Sequence, residues 1–387
     1  MALENAVPSR AAAPGNVALV VGLPLLFLIL GTAIRYAAFA SATGEAGFAA
    51  YAQGLCNWDC HWYVRIAQEG YDGFPTPQAS NVGNWGFFPF YPMIVAAVSA
   101  VVPLPVIQIA AVTSLAATFA ACLVSWPLLG RDRRAYALWC AFLLAGPFSV
   151  YFATFMTEPM FVLLTCCVLA ALQRSNYLAA ALFAAALSAT RIVGVFIFFV
   201  IFLQMFLDHR RAGGTLLSFP AHLLGRPDLL IAIFLAPAGL FAYMLTLHLT
   251  MGDGLAFSHV QRPFGRAVAP PWLWLWDGLT KFPKAGWTPT SSQWNAIAAV
   301  TGLALSAWLA WRRRFGVALF AAICLVLPLS SGLASLVRYT IGLAPLGLAA
   351  VEIIARWRPL AWIAIPLFLA GCYAFTVAWI GGHLALV

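Results

Sequence analysis

Three ionisable residues of this chain are candidates for a role in catalysis or ligand binding, because of their type and their sequence surroundings. Asp59 lies in the polar-aromatic segment NWDCHWY, where it opens a predicted amphipathic helix over residues 59–69. Arg191 in SATRIVG and Arg338 in LVRYT each interrupt an apolar stretch. A charge at membrane depth is expensive, so such residues indicate a functional site by default. The alternatives stay open: Asp59 as a helix N-cap, and the arginines as structural ion pairs, with Glu158 as a partner.

One carboxylate and two guanidinium groups suit the transfer of a sugar from a phosphate carrier. The attacking hydroxyl needs a carboxylate within hydrogen-bond reach to take its proton. A phosphate leaving group needs no acid, in contrast to the paired carboxylates of glycoside hydrolysis. Guanidinium geometry matches phosphate oxygens. We therefore expect Asp59 to be the general base, and Arg191 and Arg338 to bind the phosphate of a sugar donor.

Other polar and aromatic side chains could contact the substrate. Glu158 precedes a proline at the start of an apolar span, where an acid also complements the helix dipole. The segment GDGLAFSHVQRPFGR follows another span and is rich in hydrogen-bonding groups. The predicted substrate-binding residues are Trp58, His61, Trp62, Glu158, Asp253, His259, Gln261, Arg262 and Arg266.

The elements that carry these residues are predicted to be membrane helices. Mean hydropathy is +0.90, and 63% of the residues are hydrophobic against 9% charged. Apolar runs recur along the chain, which is typical of an all-α polytopic membrane protein. We expect a single integral membrane domain over residues 1–387. About eleven spans of membrane-crossing type are predicted, at residues 17–40, 106–130, 135–152, 159–172, 177–189, 192–207, 229–250, 296–311, 315–329, 339–355 and 361–380.

The distribution of arginines predicts the orientation of these spans. If residues 87–102 form an interfacial segment, most arginines fall on the cytoplasmic side, as the positive-inside rule requires. Residues 41–104 and 252–294 are then extracytoplasmic loops, and the first contains interfacial helices rich in Trp and Tyr. The arginines assigned to the cytoplasmic side are Arg10, Arg131, Arg133, Arg134, Arg174, Arg210, Arg211, Arg226, Arg312, Arg313, Arg314, Arg356 and Arg358.

Several classes of function are disfavoured by the sequence. The net charge is +9, but the basic residues are scattered between apolar spans, which argues against nucleic-acid binding. No phosphate-binding, serine-hydrolase, zinc-protease or dinucleotide motif is present. Cys56 and Cys60 could form a disulfide in an oxidising compartment, although a pair four apart on a helix is awkward geometry for one. We expect no cofactor, and a divalent metal has too few ligands to be supported.

The order WD–WY–GY–FFPFYP, TEPMF, TRIVG, GDGLAF–Q–GR and RY resembles the GPI mannosyltransferase II (PIG-V-type) family and its bacterial relatives, within the GT-C superfamily of glycosyltransferases. The resemblance implies a GT-C-type fold, a polyprenyl- or dolichyl-phosphate-mannose donor, and inversion of the sugar on the outer face. It assigns the base to Asp59 and matches Glu158 to an acidic residue of the second outer loop.

We therefore expect a hexosyltransferase, of the mannosyltransferase type, in a bacterial plasma membrane. It would pass the sugar from a polyprenyl-phosphate carrier to a lipid or glycan acceptor on the extracytoplasmic face. The alternative is a transporter or flippase of a lipid-linked sugar. Transporter sites tend to lie near the midplane between repeated halves, whereas no repeat is visible in this sequence.

Overall fold

The structure is a computed structural model that describes residues 14–73, 83–261, 266, 268–280 and 291–382. Its described part is built of α-helices and short 3₁₀ turns, without strands. The helices are α1 Pro14–Thr43, α2 Phe48–Leu55, α3 Cys60–Glu69, α4 Phe90–Ser99, α5 Val106–Leu128, α6 Arg133–Ala145, α7 Glu158–Leu172, α8 Tyr177–Ser188, α9 Ile197–Arg211, α10 Phe219–Leu224, α11 Pro227–Leu235, α12 Ala238–Met251, α13 Ala256–His259, α14 Pro271–Thr280, α15 Ser291–Trp311, α16 Phe315–Leu329, α17 Leu336–Gly342, α18 Ala344–Ala355 and α19 Arg358–Ile380.

The prediction of an all-α polytopic membrane protein is confirmed. Within the described ranges, 5 helices are long and apolar enough to cross a membrane: α1, α5, α9 with the turn before it, α15 and α19. The count rises to 7 if two bent pairs, α11 with α12 (48°) and α17 with α18 (70°), each form one span. Helices α7, α8 and α16 are apolar but shorter. The number of about eleven spans therefore stays a prediction.

Close helix packing depends on glycine at two crossings. A Cβ added to Gly31 of α1 would lie 1.9 Å from the carbonyl oxygen of Leu144 in α6. A Cβ on Gly239 of α12 would lie 1.9 Å from the carbonyl oxygen of Ala185 in α8. In lipid, helices associate through such close van der Waals contact, because the bilayer supplies no hydrophobic driving force between them.

The segment between α1 and α5 is an ordered polar-aromatic region. The helix predicted over residues 59–69 is present as α3, Cys60–Glu69. Residues 87–102, predicted to be interfacial, contain only the ten-residue helix α4, Phe90–Ser99. Its shortness agrees with a segment that does not span the bilayer.

The region after α12 packs on this same aromatic segment. Phe88 lies 5.0 Å from the ring of Tyr243 in α12 and 5.4 Å from that of Phe257 in α13, measured between centroids. The Tyr243 hydroxyl donates to the carbonyl oxygen of Trp85 at 2.8 Å. The two predicted outer loops therefore meet in a shared apolar cluster.

Candidate active site

Four charged side chains from distant parts of the chain meet in one cluster. Arg338 donates from Nη1 to Oδ2 of Asp59 at 2.5 Å and from Nε to Oε1 of Glu158 at 2.8 Å. Nη1 of Arg191 lies 3.4 Å from the same Oε1 of Glu158. The cluster holds two carboxylates and two guanidinium groups, so its formal charges balance.

Each member of the cluster stands at the end of a helix or at a break between helices. Asp59 directly precedes α3, Glu158 is the first residue of α7, and Arg338 lies in the short helix α17. Arg191 occupies the extended residue between α8 and the 3₁₀ turn Ile192–Phe196. Polar backbone is exposed at such breaks, and non-helical backbone at membrane depth is tolerated only where it is buried in protein or lines a watery cavity.

Asp59 occupies the N-cap position of α3, but its side chain does not cap the helix. Asp59 is the residue before α3, yet its carboxylate makes no capping hydrogen bond to the helix backbone. The carboxylate binds Arg338 instead. The residue before it, Trp58, has a left-handed backbone with φ 58°, a strained conformation for a bulky residue. Such strain persists only where surrounding structure enforces it, and it clusters at functional sites.

A disulfide joins the two ends of the loop that carries Asp59. Cys56 and Cys60 are bonded, with Cα atoms 5.3 Å apart. A disulfide between residues four apart was expected to have awkward geometry because both cysteines were assumed to lie on one helix. Cys56 instead follows the last residue of α2, and Cys60 is the first residue of α3. The pair therefore closes a tight turn of three residues, with Asp59 inside it.

The cluster has a buried half and an accessible half. The side chains of Glu158 and Arg338 are 0% and 2% exposed, whereas those of Asp59 and Arg191 are 28% and 13% exposed. The guanidinium of Arg191 also lies 4.5 Å from the ring centre of Tyr339, a cation–π distance. Asp59 and Arg191 are therefore the more accessible members of the cluster, and Glu158 and Arg338 lie deeper in the protein.

The buried half contains polar atoms that lack partners. Within the described residues, the hydroxyls of Tyr151 and Thr157 and Oε2 of Glu158 are buried and make no hydrogen bond. The Tyr151 ring centre lies 5.8 Å from the Arg338 guanidinium. Unsatisfied buried polar atoms are uncommon in proteins and often mark a functional site. Residue-type reasoning did not select Tyr151, although it lies seven residues before Glu158.

The predicted aromatic contacts lie around Asp59. Trp62 stacks on Phe87 with centroids 5.6 Å apart and ring planes at 17°. Trp58 is 43% exposed, and His61 is also exposed. These side chains flank Asp59 in sequence and take no part in the ion pairs of the cluster.

The predicted residues after α12 form their own contacts and do not join the four-charge cluster. Asp253 binds Nδ1 of His259 at 2.7 Å, and this bond holds the pKa of the Asp253 carboxyl below its usual range. Gln261 donates to the carbonyl oxygen of Phe257. Arg266 donates to the carbonyl oxygen of Ala334, shortly before α17.

The two remaining predictions concern Arg262 and a metal ion. Arg262 lies outside the described residues. Among the residues that the structure describes, no group of three or more His, Cys, Asp or Glu side chains could hold a metal ion.

Comparison with known proteins adds little to this geometry. No family model matches the chain, and no curated protein sequence matches it. Among solved structures, the crystal structure of ArnT from Cupriavidus metallidurans bound to undecaprenyl phosphate is similar. The alignment covers 96% of this chain and 78% of that one, with 15% identity and a TM-score of 0.36.

Proposed function

We propose that this chain is an inverting membrane glycosyltransferase. It transfers a hexose from a polyprenyl-phosphate carrier to a lipid or glycan acceptor, and we propose that this hexose is mannose. The observation that carries the proposal is the accessible carboxylate of Asp59, which pairs with Arg338 in a cluster that Arg191 joins through Glu158. The motif resemblance agrees with this assignment and implies a GT-C-type fold.

Asp59 acts as the general base in this proposal. A carboxylate within hydrogen-bond reach of the acceptor hydroxyl can take its proton. Inversion requires the acceptor hydroxyl and the phosphate to lie on opposite sides of the anomeric carbon. Asp59 takes the hydroxyl proton as the new glycosidic bond forms, and the bond to the phosphate breaks with its electron pair staying on oxygen.

In the proposed reaction, Arg191 and Arg338 bind the donor phosphate, and they differ in how many of their N–H groups are already bonded to protein. Arg191 is partly exposed, and its only ion pair among the described residues is the 3.4 Å contact with Glu158. Arg338 already uses Nη1 and Nε on carboxylates, while the partner of Nη2 among the described residues is the sulfur of Met156 at 3.5 Å. Because thioether sulfur is a weak acceptor, Nη2 retains donor capacity for a phosphate oxygen.

The disulfide supports an extracytoplasmic location for the site. Disulfides persist in oxidising compartments and are rare in the reducing cytosol. The bond between Cys56 and Cys60 lies next to Asp59, which fits a site on the outer face of a bacterial plasma membrane. The proposed extracytoplasmic loops at residues 41–104 and 252–294 lie on that same side.

Transfer of radiolabelled mannose from polyprenyl phosphate mannose to a membrane-lipid or glycan extract tests the proposal. Asp59→Asn removes the proton acceptor and is expected to lower the rate by about 10²–10⁴-fold while donor binding survives. Asp132→Asn is the matched control, because Asp132 only caps α6 by accepting from the backbone N–H groups of Arg134 and Ala135, and asparagine caps equally well.

The outcomes of this assay separate the alternatives. Equal turnover by the Asp59→Asn variant rejects Asp59 as the base and directs attention to Glu158. Absence of turnover by the wild type, together with movement of the donor across a liposome bilayer, rejects the transferase in favour of a flippase.

A further inference from the structure

Tyr63 places a hydroxyl at the candidate site for which no role has been assigned. It lies on α3 four residues after Asp59, so the two side chains share one face of the helix. Its ring packs edge-on against Phe87, with centroids 5.3 Å apart, and against Phe155 at 5.8 Å. The side chain is 5% exposed. The ring is therefore held from two sides, which fixes the direction of its hydroxyl.

Burial and the charges of the cluster together set the protonation state of the Tyr63 hydroxyl. Burial raises the pKa of Tyr63 above its usual value, and the Asp59 carboxylate raises it further. Arg191 and Arg338 act in the opposite direction, and Glu158 raises the pKa again. The pKa stays well above the ordinary range, so the phenol keeps its proton at physiological pH. Tyr63 is therefore available as a hydrogen-bond donor and not as a base.

Most other buried tyrosines of the described chain have a partner for their hydroxyl, whereas Tyr63 has none. Tyr91 donates to the carbonyl oxygen of Ala110 at 3.1 Å, and Tyr136 donates to that of Val20 at 2.7 Å. No hydrogen bond joins the Tyr63 hydroxyl to a described residue. The hydroxyl is not one of the fully buried unpaired atoms of the described residues, so it keeps some exposure, and a ligand can supply its partner.

Tyr151 has a similar unpaired hydroxyl, but in a different position. Its hydroxyl is fully buried, and its ring lies against the buried Arg338. Tyr63 instead lies one helical turn after Asp59, the most exposed member of the cluster. Tyr63 is therefore the better placed of the two to meet a substrate.

We propose that Tyr63 is a further substrate-contacting residue, whose hydroxyl donates a hydrogen bond to a phosphate oxygen of the sugar donor. This inference rests on the proposed function. A hydrogen bond to a charged acceptor is about twice as strong as one between neutral groups. The bond strengthens as the sugar leaves, because negative charge accumulates on the phosphate oxygens. The phenol contributes this stabilisation without altering the charge balance of the cluster.

Binding of undecaprenyl phosphate to the full chain in lipid nanodiscs tests the inference. Tyr63→Phe removes one oxygen atom and keeps the ring packing, and we expect about 10- to 100-fold weaker binding, as for the loss of a hydrogen bond to a charged group. The matched control is Tyr91→Phe, which removes a buried hydroxyl bonded to Ala110 and is expected to leave the affinity unchanged.

Two additional ligands separate the phosphate contact from lipid packing. Binding of undecaprenol, which lacks the phosphate, should be the same for wild type and Tyr63→Phe. Inorganic phosphate competes for the same donors and should lose affinity in the variant by a similar factor. A merely structural role for Tyr63 predicts instead that all ligands lose affinity together.

Failure of the inference and failure of the proposed function give different results. If wild type binds undecaprenyl phosphate and Tyr63→Phe binds it equally well, the inference is wrong and the proposed function stands. An equal loss of affinity for undecaprenol and undecaprenyl phosphate also overturns the inference. If wild type binds no undecaprenyl phosphate, the proposed function fails and the inference fails with it.

Discussion

The buried ion pair between Glu158 and Arg338 should show strong energetic coupling. Arg338→Gln leaves two carboxylates facing the single guanidinium of Arg191, and Glu158→Gln leaves two guanidinium groups facing the single carboxylate of Asp59. Either single change leaves an unbalanced charge beside side chains that are 0% and 2% exposed. The double variant restores neutrality, with Asp59 and Arg191 as the remaining charges.

The geometry sets the expected magnitude. At the observed separation of 2.8 Å and an effective dielectric constant of about 20, the attraction is about 6 kcal/mol before desolvation is subtracted. Breaking a buried pair by removing one partner costs about 3–5 kcal/mol. Removing both partners costs much less than twice this, so we expect a coupling free energy of about 2–3 kcal/mol, the upper part of the range for residues in contact.

Reversible unfolding of the four proteins by SDS titration measures this coupling free energy. The control cycle uses Arg65 and Glu69, a pair at 3.3 Å whose side chains are 50% and 68% exposed. Exposed pairs of this kind on a helix contribute about 0.3–0.5 kcal/mol. If the two single changes at Glu158 and Arg338 add without coupling, as in the control, then water screens this pair and the buried-cluster argument is refuted.

Three further outcomes are expected. Replacing Cys56 and Cys60 together by Ser should lower transfer activity and accelerate hydrogen exchange in the intervening loop, and unchanged exchange would reject a positioning role for the disulfide. Gly31→Ala should destabilise the protein because its Cβ would collide with a backbone carbonyl oxygen, whereas Gly22→Ala on the same helix, with nothing within 4 Å, should not. Asp253 has a lowered pKa in the folded state, so it stabilises its segment above the unfolded pKa and loses that contribution as pH falls through the folded one. Hydrogen exchange of this segment, corrected for its intrinsic pH dependence, should therefore accelerate as pH falls in the wild type and not in the Asp253→Asn variant.

Much of the fold followed from local sequence properties. Apolar runs predicted the membrane helices because the bilayer excludes unsatisfied backbone, which leaves the helix as the spanning form. The amphipathic pattern after Asp59 located α3 to within one residue. The number of spans did not follow, because helices such as α7 and α8 are too short for length alone to decide whether they cross.

The candidate site was partly accessible to the same reasoning. Arg191 and Arg338 were selected because ionisable groups are costly among apolar residues, whereas Asp59 was selected as a carboxylate in a polar-aromatic segment and Glu158 as an acid at the start of an apolar span. Tyr63 was missed, since a tyrosine in an aromatic-rich segment carries no signal that distinguishes a substrate contact from interfacial packing. Its spacing of four residues from Asp59 was the available clue.

The sequence by itself determined which stretches of the chain are apolar helices and which charges interrupt them, because both depend on local composition; the breaks within residues 229–250 and 339–355 did not follow from it. Only the tertiary structure decided which charges meet. Arg338 binds Asp59 across 279 residues and Glu158 across 180, and such pairings depend on how helices pack. The same packing leaves Glu158 and Arg338 buried while Asp59 and Arg191 stay accessible, since burial depends on the neighbours that other helices supply.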